Sequence, residues 1–124
     1  MNITPLILIA HGSKNPDWVA PFQKMTADLR QDMGQHAVYL CFMEIAEPGL
    51  MEVARQIVEN GDQQCRLLPM FMAKGNHFYD DIPAQVKEVK TAFPELEVEL
   101  LQPVGQHPLF LDLLRSLVKS THVS

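Results

Sequence analysis

Four short runs rich in apolar residues alternate along the chain with four longer segments of mixed polarity. The runs span residues 5–10, 37–43, 65–72 and 96–101. The first run, PLILIA, is continuously apolar, which is typical of a strand that is covered on both faces. In the segments that follow, apolar residues recur every three or four positions, which is the spacing of one helical face. The pattern therefore predicts the element order βαβαβαβα.

Each helical segment presents a predicted core face. Alternation of this kind predicts a single parallel sheet with right-handed crossovers and helices on both faces. We therefore assign residues 1–124 to one α/β domain with a four-stranded, flavodoxin-like sheet. The predicted faces are Trp18, Phe22, Met25 and Leu29 in the first helix, Leu50, Ala54, Ile57 and Val58 in the second, Ile82, Val86, Val89 and Phe93 in the third, and Phe110, Leu113, Leu114, Leu117 and Val118 in the fourth.

Some residues qualify this pattern locally. Pro69 lies inside the third apolar run, and since proline cannot donate to a ladder it favours an edge strand or a bulge. Asp80 and Asp81 are suited to the start of the third helix, where carboxylates complement the helix dipole. The segment AKGNHFYDD, which leads into this helix, is predicted to be a loop.

Composition narrows the class of protein. The chain is 47% hydrophobic and 20% charged, which is an ordinary globular balance. Its formal net charge of -5 argues against a nucleic-acid partner, and no apolar run is long enough to cross a membrane. The run 6–10 is too short, and lacks the preceding basic residues, for a signal peptide. Cys41 and Cys65 form no CxxC pair, so we expect two reduced core cysteines in a cytoplasmic protein.

Polar side chains concentrate at one edge of the predicted sheet. All βα loops of a parallel sheet emerge at the carboxyl ends of its strands, where open α/β sheets bind ligands. The opposite edge carries mainly helix caps and solubilising residues. The candidate edge receives His11, Ser13 and Lys14 after the first strand, Glu44 after the second, and Lys74, Asn76 and His77 after the third.

This set of side chains predicts a metal site beside an anionic substrate. The imidazoles of His11 and His77 and the carboxylate of Glu44 suit a divalent transition metal such as cobalt, nickel, iron or zinc. Lys14 and Lys74 add positive charge in an acidic protein. Taken singly, a histidine after a strand is more often a cap, and the two lysines can equally be solvated loop charges.

Several other chemistries lack their sequence signals. The chain has no GxGxxG and no GxxxxGK[ST] motif for nucleotides, and no GxSxG elbow for a serine hydrolase. Neither CxxC nor HExxH supports a structural zinc site or a zincin. His107 precedes Pro108, and helix capping accounts for it.

Three segments, LILIAHGSKNPDW, CFMEIAEPGL and LLPMFMAKGNHFYDDIP, resemble the small CbiX-type sirohydrochlorin chelatases, which are class II chelatases. The resemblance implies ATP-independent insertion of Co²⁺, with Ni²⁺ or Fe²⁺ as alternatives, into sirohydrochlorin, and it implies a homodimer. The two metal-site histidines of the family match His11 and His77, and an acidic residue matches Glu44. Lys14 stands where many relatives carry arginine.

The resulting hypothesis gives each candidate a role. His11 and His77 hold the ion, and the histidines or Glu44 accept the pyrrole protons. Lys14 and Lys74 meet peripheral carboxylates. The remaining two candidates, Ser13 and Asn76, orient loops or ring substituents. Two alternatives remain: a metal or tetrapyrrole carrier without turnover, and a flavodoxin-like domain for FMN or phosphate, which the lack of a Ser/Thr/Gly-rich phosphate loop disfavours.

Overall fold

The computed structural model describes residues 3–120, apart from the side chains of residues 76–79. The predicted order of strands and helices is confirmed, with one 3₁₀ turn added before the last helix. The elements are β1 (Leu6–Ala10), α1 (Pro16–Met33), β2 (Val38–Phe42), α2 (Leu50–Glu59), β3 (Gln64–Pro69), α3 (Asn76–Ala92), β4 (Glu97–Leu100), the 3₁₀ turn Val104–Gln106, and α4 (Pro108–Lys119).

The four strands form one parallel sheet in the order β2-β1-β3-β4. Ile9 on the central strand β1 pairs with Cys41 of β2 and with Pro69 of β3. The chain leaves β1 toward one side for β2 and then crosses to β3 on the other side. The carboxyl ends of β1 and β3 therefore flank a topological switch point, where ligands bind in sheets of this kind.

Pro69 does not mark an edge or a bulge. It is the last residue of β3, an interior strand paired on both sides, and the ladder continues past it because the Met70 amide donates to the Ile9 carbonyl over 2.9 Å. A proline at the end of a strand removes a donor where regular pairing is already finishing, so it is tolerated there.

Helices cover both faces of the sheet, as predicted. One buried cluster joins α2 and α3 to the sheet and contains Ile7, Ile9 and Leu67, while a second joins α1 to Leu8 and Phe42. The predicted faces of α2 and α3 lie in the first cluster. Apolar burial on both sides of β1 and β2 explains why the sequences of these two strands are continuously hydrophobic.

Both cysteines lie in the core and are free, as expected. Burial raises the pKa of Cys41 to about 12 and that of Cys65 to about 11. Since the thiolate is the reactive form, both thiols are inert in the folded chain near neutral pH.

The predicted face of α1 is confirmed at Phe22 and Leu29 but is displaced by one position at Trp18 and Met25. Val19, Phe22 and Leu29 pack against the second cluster, whereas the Trp18 side chain is 71% exposed. Thr26 replaces Met25 as the buried residue of this face, and its hydroxyl donates to the Phe22 carbonyl. Both stripes satisfy a 3.6-residue period, so local periodicity could not choose between them.

The predicted core face of α4 is not buried. None of the residues of this helix is buried, although its core face was expected to lie against the sheet. Among residues 3–120, no helix is long and apolar enough to span a membrane.

Candidate metal site at the carboxyl edge of the sheet

The structure brings two of the predicted site residues into contact. His11 follows β1 directly, and Glu44 comes two residues after the end of β2. Their side chains meet with His11 Nε2 and Glu44 Oε1 3.0 Å apart. These side chains are 47% and 63% exposed, so a metal ion and a large substrate can reach both from solvent.

The geometry of this pair suits a metal ion. An ionised carboxylate only accepts hydrogen bonds, so Nε2 donates its proton to Glu44 when no metal is bound. Ligand atoms about 2.1 Å from an ion, at right angles to each other, are separated by about 3.0 Å. A divalent ion can therefore bridge His11 and Glu44 at their present separation, once rotation of the side chains has aimed both ligand atoms at the ion.

Backbone hydrogen bonds extend the pairing of β1 and β2 as far as the two site residues. The Met43 amide donates to the Ala10 carbonyl over 2.8 Å, and the Glu44 amide donates to the His11 carbonyl over 3.2 Å. The two side chains thus start from backbone positions that are fixed relative to each other by the sheet itself.

Gly12 is required where the two loops touch. Its φ is +105°, a conformation that side chains other than glycine rarely adopt. A Cβ atom at this position would lie 1.9 Å from the carbonyl oxygen of Glu44. The absence of a side chain therefore lets the loop after β1 approach the segment that carries Glu44.

A strained turn follows Glu44. Ile45 has φ +72°, and the Ala46 amide donates back to the Glu44 carbonyl over 2.7 Å, which closes a γ-turn around Ile45. Positive φ is unfavourable for a β-branched residue, and such strain is concentrated at functional sites. Sequence reasoning missed Ile45, because EIAEPG indicates a turn without indicating its type.

His77 was predicted on a loop, but its backbone belongs to a helix. α3 begins at Asn76, after Gly75 in extended conformation, so His77 is its second residue. Asp80 and Asp81 consequently lie in the second turn rather than at the start. This places the first turn of α3, with its outward-pointing amides, at the same edge of the sheet as His11.

The side chains of Asn76 and His77 lie outside the described residues. Within the described side chains, no group of three or more His, Cys, Asp or Glu residues could hold a metal. His11 and Glu44 therefore form the described part of the site, and the metal-binding role of His77 stays a prediction.

Ser13 has a structural partner in its own loop. Its hydroxyl oxygen accepts from the Asn15 amide over 3.0 Å, and the Asn15 side chain in turn accepts from the Asp17 amide at the start of α1. These two bonds shape the turn between His11 and the helix. Lys14, in the same turn, is exposed to solvent.

Lys74 lies at an apolar cavity that the sequence did not reveal. The cavity has a volume of about 440 Å³ and lies where β3, β4 and the start of α3 meet. Phe71, Ile82 and Leu100 contribute apolar surface, while Lys74 and Asp80 contribute charge. The only sequence signal for this cavity was the apolar residues at the strand ends, and such residues are equally typical of the hydrophobic core.

Two further histidines have local roles. His107 is the N-cap of α4, and its Nδ1 accepts from the Leu109 amide over 3.1 Å, which confirms the capping interpretation. His36 lies at the opposite edge of the sheet, with Nδ1 3.4 Å from the Tyr39 hydroxyl. Neither belongs to the site formed by His11 and Glu44.

Comparison with known proteins identifies the family. A family model described as CbiX matches residues 5–121, nearly the whole chain. This chain belongs to the CbiX family. The resemblance noted in three sequence segments is therefore confirmed across the full fold.

Two relatives are named as sirohydrochlorin chelatases, one for cobalt and one for iron. The sirohydrochlorin cobaltochelatase of Sulfolobus acidocaldarius is 31% identical over 112 residues, which covers 89% of this chain and 85% of the relative. The chloroplastic sirohydrochlorin ferrochelatase of Arabidopsis thaliana is 24% identical, and the match covers 92% of this chain but 51% of the plant protein.

A solved CbiX structure has the same fold. The crystal structure of a cobalamin biosynthesis CbiX protein from Marinobacter aquaeolei VT8 matches with a TM-score of 0.84 and 27% identity. The match covers 95% of this chain and 93% of that protein. The two proteins therefore share one fold over nearly their whole lengths.

Proposed function

We propose that this CbiX-family chain is a chelatase that inserts Co²⁺ into sirohydrochlorin without ATP. The observation that carries the proposal is the exposed His11–Glu44 pair, whose ligand atoms are 3.0 Å apart at the carboxyl edge of the sheet. The proposal is supported by 31% identity to a sirohydrochlorin cobaltochelatase and by the absence of nucleotide motifs in the sequence.

In the proposed mechanism, the metal and the pyrrole protons change places. His11 would bind the ion through Nε2, with the imidazole proton moved to Nδ1, while Glu44 would bind it through the carboxylate and His77 would be the further ligand. When the ion passes to the four ring nitrogens, the ring loses two N–H protons. The imidazole and the carboxylate that the ion has left are then free bases, so each can accept a proton. Their exposure lets both protons pass to solvent, which resets the site.

The proposed substrate contacts follow from charge. Sirohydrochlorin is polyanionic, and Lys14 and Lys74 would meet its peripheral carboxylates. Lysine is a point charge without the planar fork of arginine, so Lys14 supplies attraction rather than a bidentate contact. Ser13 and Asn76 would orient the loops or ring substituents, and the hydrogen bond from the Asn15 amide to Ser13 is consistent with the first of these roles.

Replacement of the proposed metal ligands tests the mechanism. His11→Ala and His77→Ala should each reduce cobalt insertion by about 100-fold or more, because each removes a ligand that positions the reacting ion. His36→Ala is the matched control, since it removes an imidazole from the opposite edge. Insertion is followed anaerobically by the visible spectrum of the ring. A wild-type rate in either ligand variant would contradict its assigned role.

Turnover separates an enzyme from a carrier. With Co²⁺ and sirohydrochlorin in excess, a chelatase continues past one metallated ring per site, whereas a carrier stops there. Parallel assays with Co²⁺, Ni²⁺ and Fe²⁺ test the metal, because these ions share the same ligand types and the names of relatives include both cobalt and iron.

We further propose that residues 1–124 act as one chelatase domain and as a cytoplasmic homodimer. A lobe of 14.0 kDa has a modest core and an edge too small to enclose a tetrapyrrole. A second copy would cover the ring from the other side. Sedimentation velocity at micromolar concentration should show a dimer, and a fully active monomer would contradict this part of the proposal.

A further inference from the structure

Helix α4 carries an apolar surface that its own lobe leaves exposed. Besides Pro108, seven of its side chains are apolar and none is buried. Leu117 is 62% exposed and Val118 is 85% exposed. Single exposed apolar residues are ordinary, but a helix made largely of them is not. This surface therefore requires an explanation.

The polar residues of α4 form one narrow stripe. Asp112, Arg115, Ser116 and Lys119 are spaced so that they share a single side of the helix. The remaining circumference, more than half of it, is apolar. A helix with so wide an apolar arc is suited to burial between a sheet and a further layer rather than to a surface position.

Within residues 3–120, no helix covers one half of the sheet on the same side as α1. α1 packs on β2 and covers the β1–β2 half of this face, whereas α2 and α3 both lie on the opposite face. On the β3–β4 half, Leu68 and Met70 are only partly buried. The Arg66–Glu99 ion pair on the same half has both side chains more than half exposed. We call this half the open face.

The segment before α4 is anchored to the end of β3. The Gly105 amide donates to the Phe71 carbonyl over 3.0 Å, and the Gln106 side chain donates to the Met72 carbonyl over 3.0 Å. A Cβ atom on Gly105 would lie 2.2 Å from the same Met72 carbonyl oxygen. The segment that leads into α4 is therefore held in close backbone contact with the segment that follows β3. The position at which α4 begins is fixed by these contacts.

We propose that α4 docks on the open face of a second copy of this chain, and that the two copies exchange their α4 helices. The proposal rests on the homodimer part of the proposed function and specifies its interface. Each helix would bury its apolar arc, and each open face would gain the helix that it lacks. A two-fold arrangement satisfies both copies at once, because the same two surfaces occur on each.

Size and charge favour this occupant. A helix of twelve residues is about 18 Å long and about 10 Å across. Two exchanged helices and the surfaces that they cover would together bury an accessible area on the order of 1,000 Å², which is within the range of specific interfaces. α4 has one net positive charge, from Arg115 and Lys119 against Asp112, while Glu97 and Glu99 against Arg66 leave the open face with one net negative charge.

Sedimentation of matched variants tests the role of α4. Leu117→Asp should convert the dimer to a monomer, with a dissociation constant raised about 100-fold or more, because a charge enters the buried arc twice per dimer. Ser116→Asp adds the same charge on the polar stripe and should leave the dimer intact. Circular dichroism should show both variants folded, as expected for exposed positions. A dimeric Leu117→Asp variant, or a monomeric wild type, would overturn the proposal.

Cysteine cross-linking tests which surface receives α4. Leu114→Cys on the helix and Leu68→Cys on the open face are made in separate chains, mixed, and treated with a short bis-maleimide. The buried native thiols stay unreactive. A cross-linked pair that forms only in the mixture supports the proposal. Cross-linking of Leu114→Cys chains alone would instead show helix against helix, and a cross-link within one doubly substituted monomer would show α4 on its own sheet; both results would overturn it.

The insertion assay separates this inference from the proposed function. His11→Ala should remain a dimer while losing insertion, because the substitution lies outside α4 and the open face. If insertion proceeds in the wild type but its dimer survives Leu117→Asp, the interface proposed here is wrong and the chelatase proposal stands. If the exchange is found but no insertion occurs, the reverse holds.

Discussion

Substitution of Gly12 by alanine would test how the site is held together. Gly12 has φ +105°, and its Cα faces the carbonyl oxygen of Glu44, so an added Cβ would lie 1.9 Å from that oxygen. Contacts of real Cβ atoms are essentially never shorter than 3.0 Å, so one of the two loops must move by about 1 Å. The carbonyl concerned belongs to the residue whose carboxylate contacts His11.

The expected cost has two parts. Alanine at positive φ costs about 1–2 kcal/mol, and relieving an overpacked contact costs about 1–3 kcal/mol more. We therefore expect Gly12→Ala to lower the free energy of unfolding by about 2–5 kcal/mol. A displacement of this size at a catalytic contact can reduce the rate about 100-fold, so insertion should fall more than stability alone would explain.

Gly34→Ala is the matched control for backbone strain. Gly34 has φ +114°, but a Cβ atom there would meet nothing within 4 Å, and the residue caps α1 at the opposite edge. This variant should lose only about 1–2 kcal/mol and keep wild-type insertion. Urea unfolding and anaerobic cobalt insertion are measured for both variants. If Gly12→Ala inserts cobalt as fast as Gly34→Ala, contact between the loops does not control the site.

Three further predictions concern charge and burial. Glu44→Gln should reduce insertion about 10-fold or more, because it removes a metal ligand. It should change the free energy of unfolding by less than about 1 kcal/mol, because the pair with His11 is exposed. A variant that loses stability but not insertion would contradict this. Lys74→Ala should raise KM and weaken the salt dependence of KM, while kcat stays unchanged. The control Lys24→Ala, midway along α1, should leave KM unchanged. An unchanged KM in Lys74→Ala would show that this lysine does not attract the substrate. Burial raises the pKa of Cys41 to about 12 and of Cys65 to about 11. The free energy of unfolding should therefore keep the full contribution of the two neutral thiols below about pH 9, and it should fall as the pH rises toward these pKa values. Urea unfolding should show the decrease, about 1 kcal/mol per thiol at pH 10, and an equal decrease in a variant with both cysteines replaced by alanine would refute the assignment.

Much of the fold could be predicted because it depends on features that are local in the sequence. Runs rich in apolar residues identified all four strands, and the faces of α2 and α3 followed from the spacing of their apolar residues. Parallel strands then required His11 and Glu44 to share one edge, and the structure joins them there at 3.0 Å. Knowledge of chain order and element type was sufficient for each of these steps.

Other features depend on contacts between distant segments, which periodicity does not contain. Two stripes of α1 have equally good spacing, and only packing against the sheet selected Val19 over Trp18. The start of α3 moved from Asp80 to Asn76, which changed His77 from a loop residue to a helical one.

By itself, the sequence of this protein determined the order of its elements, the buried character of β1 and β2 and the edge that gathers its unusual side chains, because these follow from local hydrophobicity and chain direction. Only the tertiary structure decided the close approach of Gly12 to Glu44, the strained turn at Ile45 and the exposure of α4. Each of these depends on distances of a few ångströms between segments remote in the chain, and such distances are set by packing of the whole lobe.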